Sequence, residues 1–120
     1  MKLKLYKIVN ATPALNRLQT QPVPGPVAYR IMRIADKLAP IIKTYQDTFN
    51  AILKKYGVPV EGEEGRFSFS AEAGAKFQAE STELSEQEEE IEVGRLKQVD
   101  LESITLTVEE MRAILPFVED

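Results

Sequence analysis

The chain has 120 residues, 43% hydrophobic and 28% charged, with a net charge of −4, which predicts one globular domain able to bury a core. It has no Cys, which excludes disulfides and thiolate chemistry, and no His, the commonest general base. No apolar run is long enough for a membrane span, and the N-terminus lacks the apolar segment of a signal peptide. We therefore expect a cytoplasmic, non-enzymatic binding protein without catalytic residues, cofactor, metal or membrane contact.

The charge is divided unevenly along the chain. Residues 1–56 hold ten Lys and Arg against two Asp, a net charge of +8, whereas residues 57–120 hold five Lys and Arg against seventeen Asp and Glu, a net charge of −12. The positive charges are spread along a predicted helix instead of forming a tail. We therefore expect the two halves to neutralise each other, within one chain or between two copies.

The N-terminal segment, residues 1–25, reads as a short strand at 2–5 followed by two short helices. Pro13 suits a first helical turn, with Thr12 as the cap before it. The prolines and glycine of residues 22–26 end this segment and predict a stiff linker.

The strongest pattern in the sequence predicts a long basic helix over residues 26–56. Large apolar residues recur in steps of mostly three and four and form one stripe: Val27, Ile31, Ile34, Leu38, Ile41, Tyr45, Phe49, Ile52 and Tyr56. Met32, Ala35, Ile42 and Leu53 widen it. Pro40 removes one backbone hydrogen bond, so a kink is predicted near residues 36–40. Gly57 is a natural stop for this helix.

A glycine-rich stretch at residues 57–66 predicts a mobile loop. Beyond it, residues 67–120 form an acidic half. Its predicted acidic helix, at about 71–90, has a sparse apolar stripe and so needs a partner surface, which we expect to be the basic helix. The apolar members of that stripe are Ala73, Phe77, Leu84 and Ile91.

The last third of the chain predicts short elements only. Residues 91–96 and 101–106 read as short extended pieces. Thr107 and Glu110 have the spacing of a capping box, which predicts a C-terminal helix ending before Pro116. The whole pattern predicts a mainly α single domain, with minor α+β character: a long kinked helix packed with an acidic helix, short terminal helices and a few short strands.

Motifs for chemistry are absent from the sequence. Gly62–Gly65 lacks the following Lys-Ser/Thr of a phosphate-binding loop, and the glutamates of residues 86–92 lack the spacing of a calcium loop. The serines at positions 68, 70 and 81 have no His to activate them. These features favour a turn, a solvated acidic face and surface hydroxyls.

Arg30, Arg33 and Lys37 share one face of the predicted long helix and are the candidate binding residues. They suit the phosphates of a nucleotide, a small signal molecule or a nucleic acid. An acidic second half is also compatible with a mimic of DNA. Against these alternatives stands a protein–protein module whose charged faces mostly meet each other or water.

A set of features along nearly the whole chain resembles a family of small uncharacterised proteins encoded by tailed bacteriophages and prophages. The features occur in a fixed order: Asn10–Leu15, Ala28–Ile31, Tyr45–Gly57, an acidic helix leading into Glu90–Val93, and Thr107–Val118. The resemblance implies a phage origin and a mostly helical fold. It implies no activity and assigns no functional residue.

Together these observations predict a phage accessory protein in the cytoplasm of the bacterial host. It would act by contact with a phage or host protein, in virion assembly or in inhibition of a host factor. The alternatives are an anti-defence protein that sequesters a nucleotide or signal molecule, and a nucleic-acid-binding or DNA-mimic protein. Because the long stripe offers more apolar surface than one acidic helix can cover, we also expect a homo-oligomer, most simply a dimer, formed along the long helix.

Overall fold

The computed structural model of the protein describes residues 1–119 and is elongated, with extents of 51 × 31 × 24 Å. The helices are α1 (Leu5–Asn10), α2 (Thr12–Leu18), α3 (Gly25–Tyr56), α4 (Ala71–Ser85) and α5 (Val108–Ile114). The strands are β1 (Lys2–Lys4), β2 (Val58–Pro59), β3 (Phe67–Ser68) and β4 (Glu88–Glu90). Two 3₁₀ turns span Gln98–Ser103 and Leu115–Phe117. The predicted fold class, mainly helical with a few short strands, is confirmed.

The core is built around the first half of α3. Val27, Ile31, Ile34 and Leu38 are buried there, at the spacing of one helix face. The other walls come from α1, α2, α5 and the segments on either side of α5. Their buried side chains include Ile8, Leu15, Leu18, Ile91, Leu96, Ile114 and Phe117. The N- and C-terminal parts of the chain therefore close over one end of α3 together.

The opposite charges of the two halves meet within the chain, as expected. Strand β1 pairs antiparallel with β4, with Lys2 opposite Glu90 and Lys4 opposite Glu88. The Lys4 Nζ also donates to Glu86 Oε2 at 2.6 Å, and this hydrogen bond is the main reason that the pKa of Lys4 is raised. Further ion pairs between the halves are Arg17–Glu110, Arg30–Asp100 and Lys55–Glu80. The exposed pairs among them fix register more than they stabilise the fold, whereas Asp100 is buried.

Beyond Leu38, α3 continues out of the core and packs on α4, which begins where Ser70 Oγ accepts the Ala73 N–H. We call residues 39–90 the arm. Its centre is an aromatic cluster in which the Phe49 and Phe77 rings lie edge to face at 5.6 Å, joined by Tyr45 and Phe69. The predicted packing of the acidic helix on the basic helix is thus confirmed, but the predicted end near residue 90 is wrong: α4 ends at Ser85, and residues 88–90 pair with β1.

The tip of the arm is a small hairpin. Val58 and Pro59 pair with Phe67 and Ser68, and the intervening turn is closed by backbone hydrogen bonds between Val60 and Arg66. The segment predicted as a loop therefore has paired strand ends, and its mobility stays a prediction. Gly57 ends α3 with φ −91°, not in the left-handed conformation common after helices. A Cβ there would lie 2.8 Å from the Leu53 carbonyl oxygen and 3.0 Å from Phe67 Cβ, so close approach requires this glycine.

The strand predicted at 91–96 is wrong, and so is the extended piece predicted at 101–106 over residues 101–103, although Ile104 is extended. Residues 91–95 are irregular, and only Leu96 makes an isolated bridge, to Val118. Residues 98–103 form a 3₁₀ turn because the Asp100 carboxylate accepts the Lys97 N–H and also binds Arg30. An alternating pattern of apolar residues cannot predict a turn that depends on an arginine far away in the sequence.

Of the predictions for the N-terminal caps of the helices, one is confirmed and one is wrong. Thr12 is the first residue of α2 and makes no capping hydrogen bond, so its predicted role as a cap is wrong. The capping box of α5 is confirmed: Thr107 Oγ1 accepts the Glu110 N–H, and Glu110 Oε1 accepts the Thr107 N–H at 2.9 Å. That backbone hydrogen bond is the main reason that the pKa of Glu110 is lowered. Helix α3 runs through Pro40 without a break, and the kink expected there stays a prediction.

Phe77→Ala is expected to lower the free energy of unfolding by about 2 kcal/mol, because the half-buried ring holds α4 on α3 through Phe49 and Phe69. The control Glu83→Gln, an exposed charge on the same helix, should change it by less than about 0.5 kcal/mol. Urea unfolding measures both variants. A larger loss for Glu83→Gln would show that charge, not apolar contact, holds the arm together.

Gly57→Ala is expected to destabilise the protein by about 1–2 kcal/mol, since the new methyl group would overlap the Leu53 carbonyl and the Phe67 side chain. Gly25→Ala is the matched control, because a Cβ at Gly25 meets no atom within 4 Å. Thermal unfolding followed by circular dichroism compares them. Equal midpoints would mean that the hairpin does not pack against the end of α3.

Candidate functional site

The two helices of the arm contact each other through side chains that are only partly buried. Between Leu38 and Ile91, every residue is half-buried or exposed, including all the aromatic residues of the cluster. Helix α4 itself buries none of its side chains. The stripe of α3 predicted from the sequence therefore has two environments: the core surrounds its first half, and α4 covers its second half from one side.

A further stripe runs along a flank of α3 and shares Phe49 with the surface that packs on α4. We call it the second stripe. Its residues follow one another in alternating steps of three and four, the spacing of a coiled-coil seam: Met32, Ala35, Ala39, Ile42, Gln46, Phe49 and Leu53. None of them is charged. Met32, Ala39 and Gln46 are exposed, and the other four are half-buried. Phe49 belongs to the main stripe predicted from the sequence, and four others were predicted only to widen it: Met32, Ala35, Ile42 and Leu53.

The second stripe borders a groove between α2 and α3. The groove has a volume of about 300 Å³. Its α2 wall includes Leu15 and Gln19. Its α3 wall combines small, larger and charged side chains: Ala35, Asp36, Leu38, Ala39, Ile42, Lys43 and Gln46.

The three predicted binding residues lie on the face of α3 roughly opposite the second stripe, and their surroundings differ. Arg30 Nη1 donates to the buried Asp100 Oδ2 at 2.9 Å, so its charge is used within the fold. Arg33 is exposed and lines a cleft, and Lys37 is exposed one turn further along. Within residues 1–119, Arg33 is therefore the only one of the three that lines a cleft and makes no ion pair.

The cleft at Arg33 also contains a basic residue that the sequence analysis missed. Arg95, from the irregular segment after β4, lines it together with Val93, Gly94 and Glu92, and the volume is about 450 Å³. Within the described chain, Arg95 has no carboxylate within ion-pair distance; its guanidinium lies 3.9 Å from Met1 Sδ. A neighbouring cleft holds Lys97 beside Arg30. The signal in the sequence was the closely spaced pair Arg95 and Lys97 within an acidic half.

A cleft of about 870 Å³ lies between α1, the start of α2 and α5. Lys7 and Arg112 line it, but the carboxylate of Glu109 is also there, and the remaining walls are mostly apolar. One such residue, Leu115, is 54% exposed. No set of like charges converges in this cleft, so its chemistry indicates no particular ligand.

Comparison of the chain with protein-family models, with curated proteins and with solved structures found no match. Among residues 1–119, no helix combines the length and apolar character needed to cross a membrane. In the same part of the chain, no three acidic side chains come together as they would around a metal ion. The candidate surfaces are therefore the second stripe with its groove, and the cleft between Arg33 and Arg95.

Proposed function

We propose that this protein is a non-enzymatic accessory protein that acts by protein–protein contact through the arm. The observation that carries the proposal is the absence of any buried side chain in residues 39–90, combined with an uncharged second stripe along the arm. Soluble proteins rarely leave a contiguous apolar surface of this length without a partner. A partner helix on the second stripe would bury Met32 and Leu53 further and fill the groove beside Ala39.

A phage setting is part of the proposal and rests on the sequence resemblance alone. In that setting the protein works in the cytoplasm of the bacterial host, and its partner is another phage protein or a host factor. The arm suits either role, because a helical surface with half-buried aromatic residues provides most of the binding energy of many protein interfaces.

Ala39→Arg is expected to abolish binding through the arm, because it places a long charged side chain in the second stripe without removing a buried residue. Ala51→Arg is the matched control, an exposed alanine on another face of the same helix. Tagged versions of the original chain and both variants are expressed in host cells, and captured proteins are compared by quantitative mass spectrometry.

The original chain and Ala51→Arg should enrich the same protein, and Ala39→Arg should reduce that enrichment at least tenfold. Circular dichroism must first show that all three chains have equal helix content. If the three chains capture the same proteins equally, the arm is not the binding surface and the proposal is wrong.

A second candidate function is the binding of a phosphorylated small molecule, such as a nucleotide or signal molecule, in the cleft of Arg33 and Arg95. What favours it is that the fold brings Arg95 from the acidic half to the basic face of α3. Arginine binds phosphate oxygens in a bidentate manner. Glu92 also lines the cleft and opposes an anion, which ranks this function second.

Calorimetric titration with ATP tests this second function. Arg33→Gln and Arg95→Gln should each weaken binding about tenfold, since each removes a charge-assisted hydrogen bond worth about 1.5–3 kcal/mol. Lys54→Gln, which removes an exposed charge on another face of α3, should change binding less than about twofold. Absence of binding by the original chain, or an equal effect of all three variants, contradicts a specific site.

A further inference from the structure

We infer that α3 is hinged at Pro40, so that the arm moves relative to the core and sets the width of the groove between α2 and α3. The hinge is a property of the chain by itself and goes beyond the proposed function. Its consequence, control of how well a partner helix fits beside Ala39, rests on the proposed function, because that function takes the groove as part of the binding surface.

Pro40 lies where α3 leaves the core. Leu38 is the last buried residue of the helix, and Pro40 is exposed. Proline has no N–H, so the Asp36 carbonyl loses the hydrogen bond that residue 40 would otherwise donate, and the proline ring crowds that carbonyl. The helix therefore lacks one backbone hydrogen bond at the boundary between the core and the arm, where its side chains are no longer held by close packing.

The same face of α3 carries a second feature that bends helices. Thr44 and Thr48 follow Pro40 at intervals of four residues. The Thr48 Oγ1 donates to the Thr44 carbonyl oxygen at 2.8 Å, a contact that competes with the backbone hydrogen bond of the helix. Because a proline ring pushes the preceding turn away from itself, the helix bends away from this face and toward the opposite one.

There is space on both sides of α3 for this movement. The pocket lined by Pro40, Thr44 and Thr48 has a volume of about 210 Å³ and lies between the arm and the core residue Leu5. The groove with Ala39 in its wall has a volume of about 300 Å³. The two recesses share no residue of α3, and at about 3.6 residues per turn they lie on opposite faces of the helix. A bend away from Pro40 therefore narrows the groove and widens the pocket.

The second connection between the core and the arm lies at the same level as Pro40. Only Glu86 separates the last residue of α4 from Gln87, whose carbonyl oxygen accepts the Leu5 N–H at 2.8 Å. Leu84, from the last turn of α4, lines the same pocket as Pro40. The arm thus joins the core through two short crossings that lie side by side, one of them at the end of a helix, as in other hinges.

The length of the arm determines how far it moves. From residue 40 to residue 56, α3 extends about 24 Å at about 1.5 Å per residue. A change of about 20° at Pro40 moves the end of the helix by about 8 Å and the groove wall at Gln46 by about 3 Å. A movement of this size in the wall is enough to admit or exclude a side chain of a partner.

The absence of natural Cys allows the arm to be followed with spin labels on introduced cysteines. Asn16→Cys with Asn50→Cys is the core–arm pair, since Asn16 lines the groove on α2 and both residues are exposed. Asn50→Cys with Gln78→Cys is the control pair, with both labels on exposed positions of the arm. Pulsed electron paramagnetic resonance measures both distances and their spread in the full chain.

The core–arm distance should spread over about 5 Å more than the control distance, since residue 50 lies about 15 Å beyond the hinge. Pro40→Ala should reduce this spread to that of the control pair and shift the mean to longer distances, because the restored N–H straightens the helix and opens the groove. Lys54→Ala changes an exposed residue of the same helix and should alter neither value. Circular dichroism shows whether each variant keeps its helix content.

Equal spreads for the two pairs in the original chain, or an unchanged core–arm distance in folded Pro40→Ala, would overturn the inference. These distances are measured on the chain alone, so they decide on the hinge even if Ala39→Arg captures the same proteins as the original chain and the proposed function fails. Where the proposed function holds, the opened groove of Pro40→Ala should raise capture of the partner at least threefold. Unchanged capture would overturn control of binding by the hinge.

Discussion

The apolar stripe of α3 extends beyond the core, which buries only its first half, and the rest of the structure depends on this difference in length. Up to Leu38 the stripe is surrounded by α1, α2 and the C-terminal elements, so its side chains are buried. Past Leu38, Ile41 and Tyr45 still contact the edge of the core, α4 covers the rest, and burial becomes partial. The fold therefore combines a closed core at one end of α3 with an arm held by a thin layer of aromatic contacts at the other.

Charge determines how the two halves of the chain pair, although the exposed ion pairs contribute little to stability. The basic first half and the acidic second half meet at the β1–β4 pair, at Arg30–Asp100 and at Lys55–Glu80. The buried Asp100 differs from the exposed pairs, because removing its arginine would leave a buried charge with the Lys97 N–H but without a positive partner. Arg30, one of the three predicted binding residues, is thus needed by the fold itself. Arg33 and Arg95 are therefore the accessible basic pair.

The two faces of α3 separate the two proposed functions. The second stripe is uncharged and suits another helix, whereas the basic face carries Arg33 and Lys37. Since these faces lie on roughly opposite sides of one helix, occupation of one leaves the other open.

The sequence by itself determined the elements whose signals are local and repeated: the long α3, the packing need of α4 and the capping box of α5. Three- and four-residue periodicity over many turns and a side chain that caps its own helix need no distant partner. Only the tertiary structure decided the rest. Whether residues 88–90 or 91–96 form a strand depends on where β1 lies, and the turn at 98–103 depends on Arg30, seventy positions away from Asp100. Which flank of α3 stays open depends on where α2 and α4 pack, because an apolar stripe on one helix does not specify which neighbour will cover it.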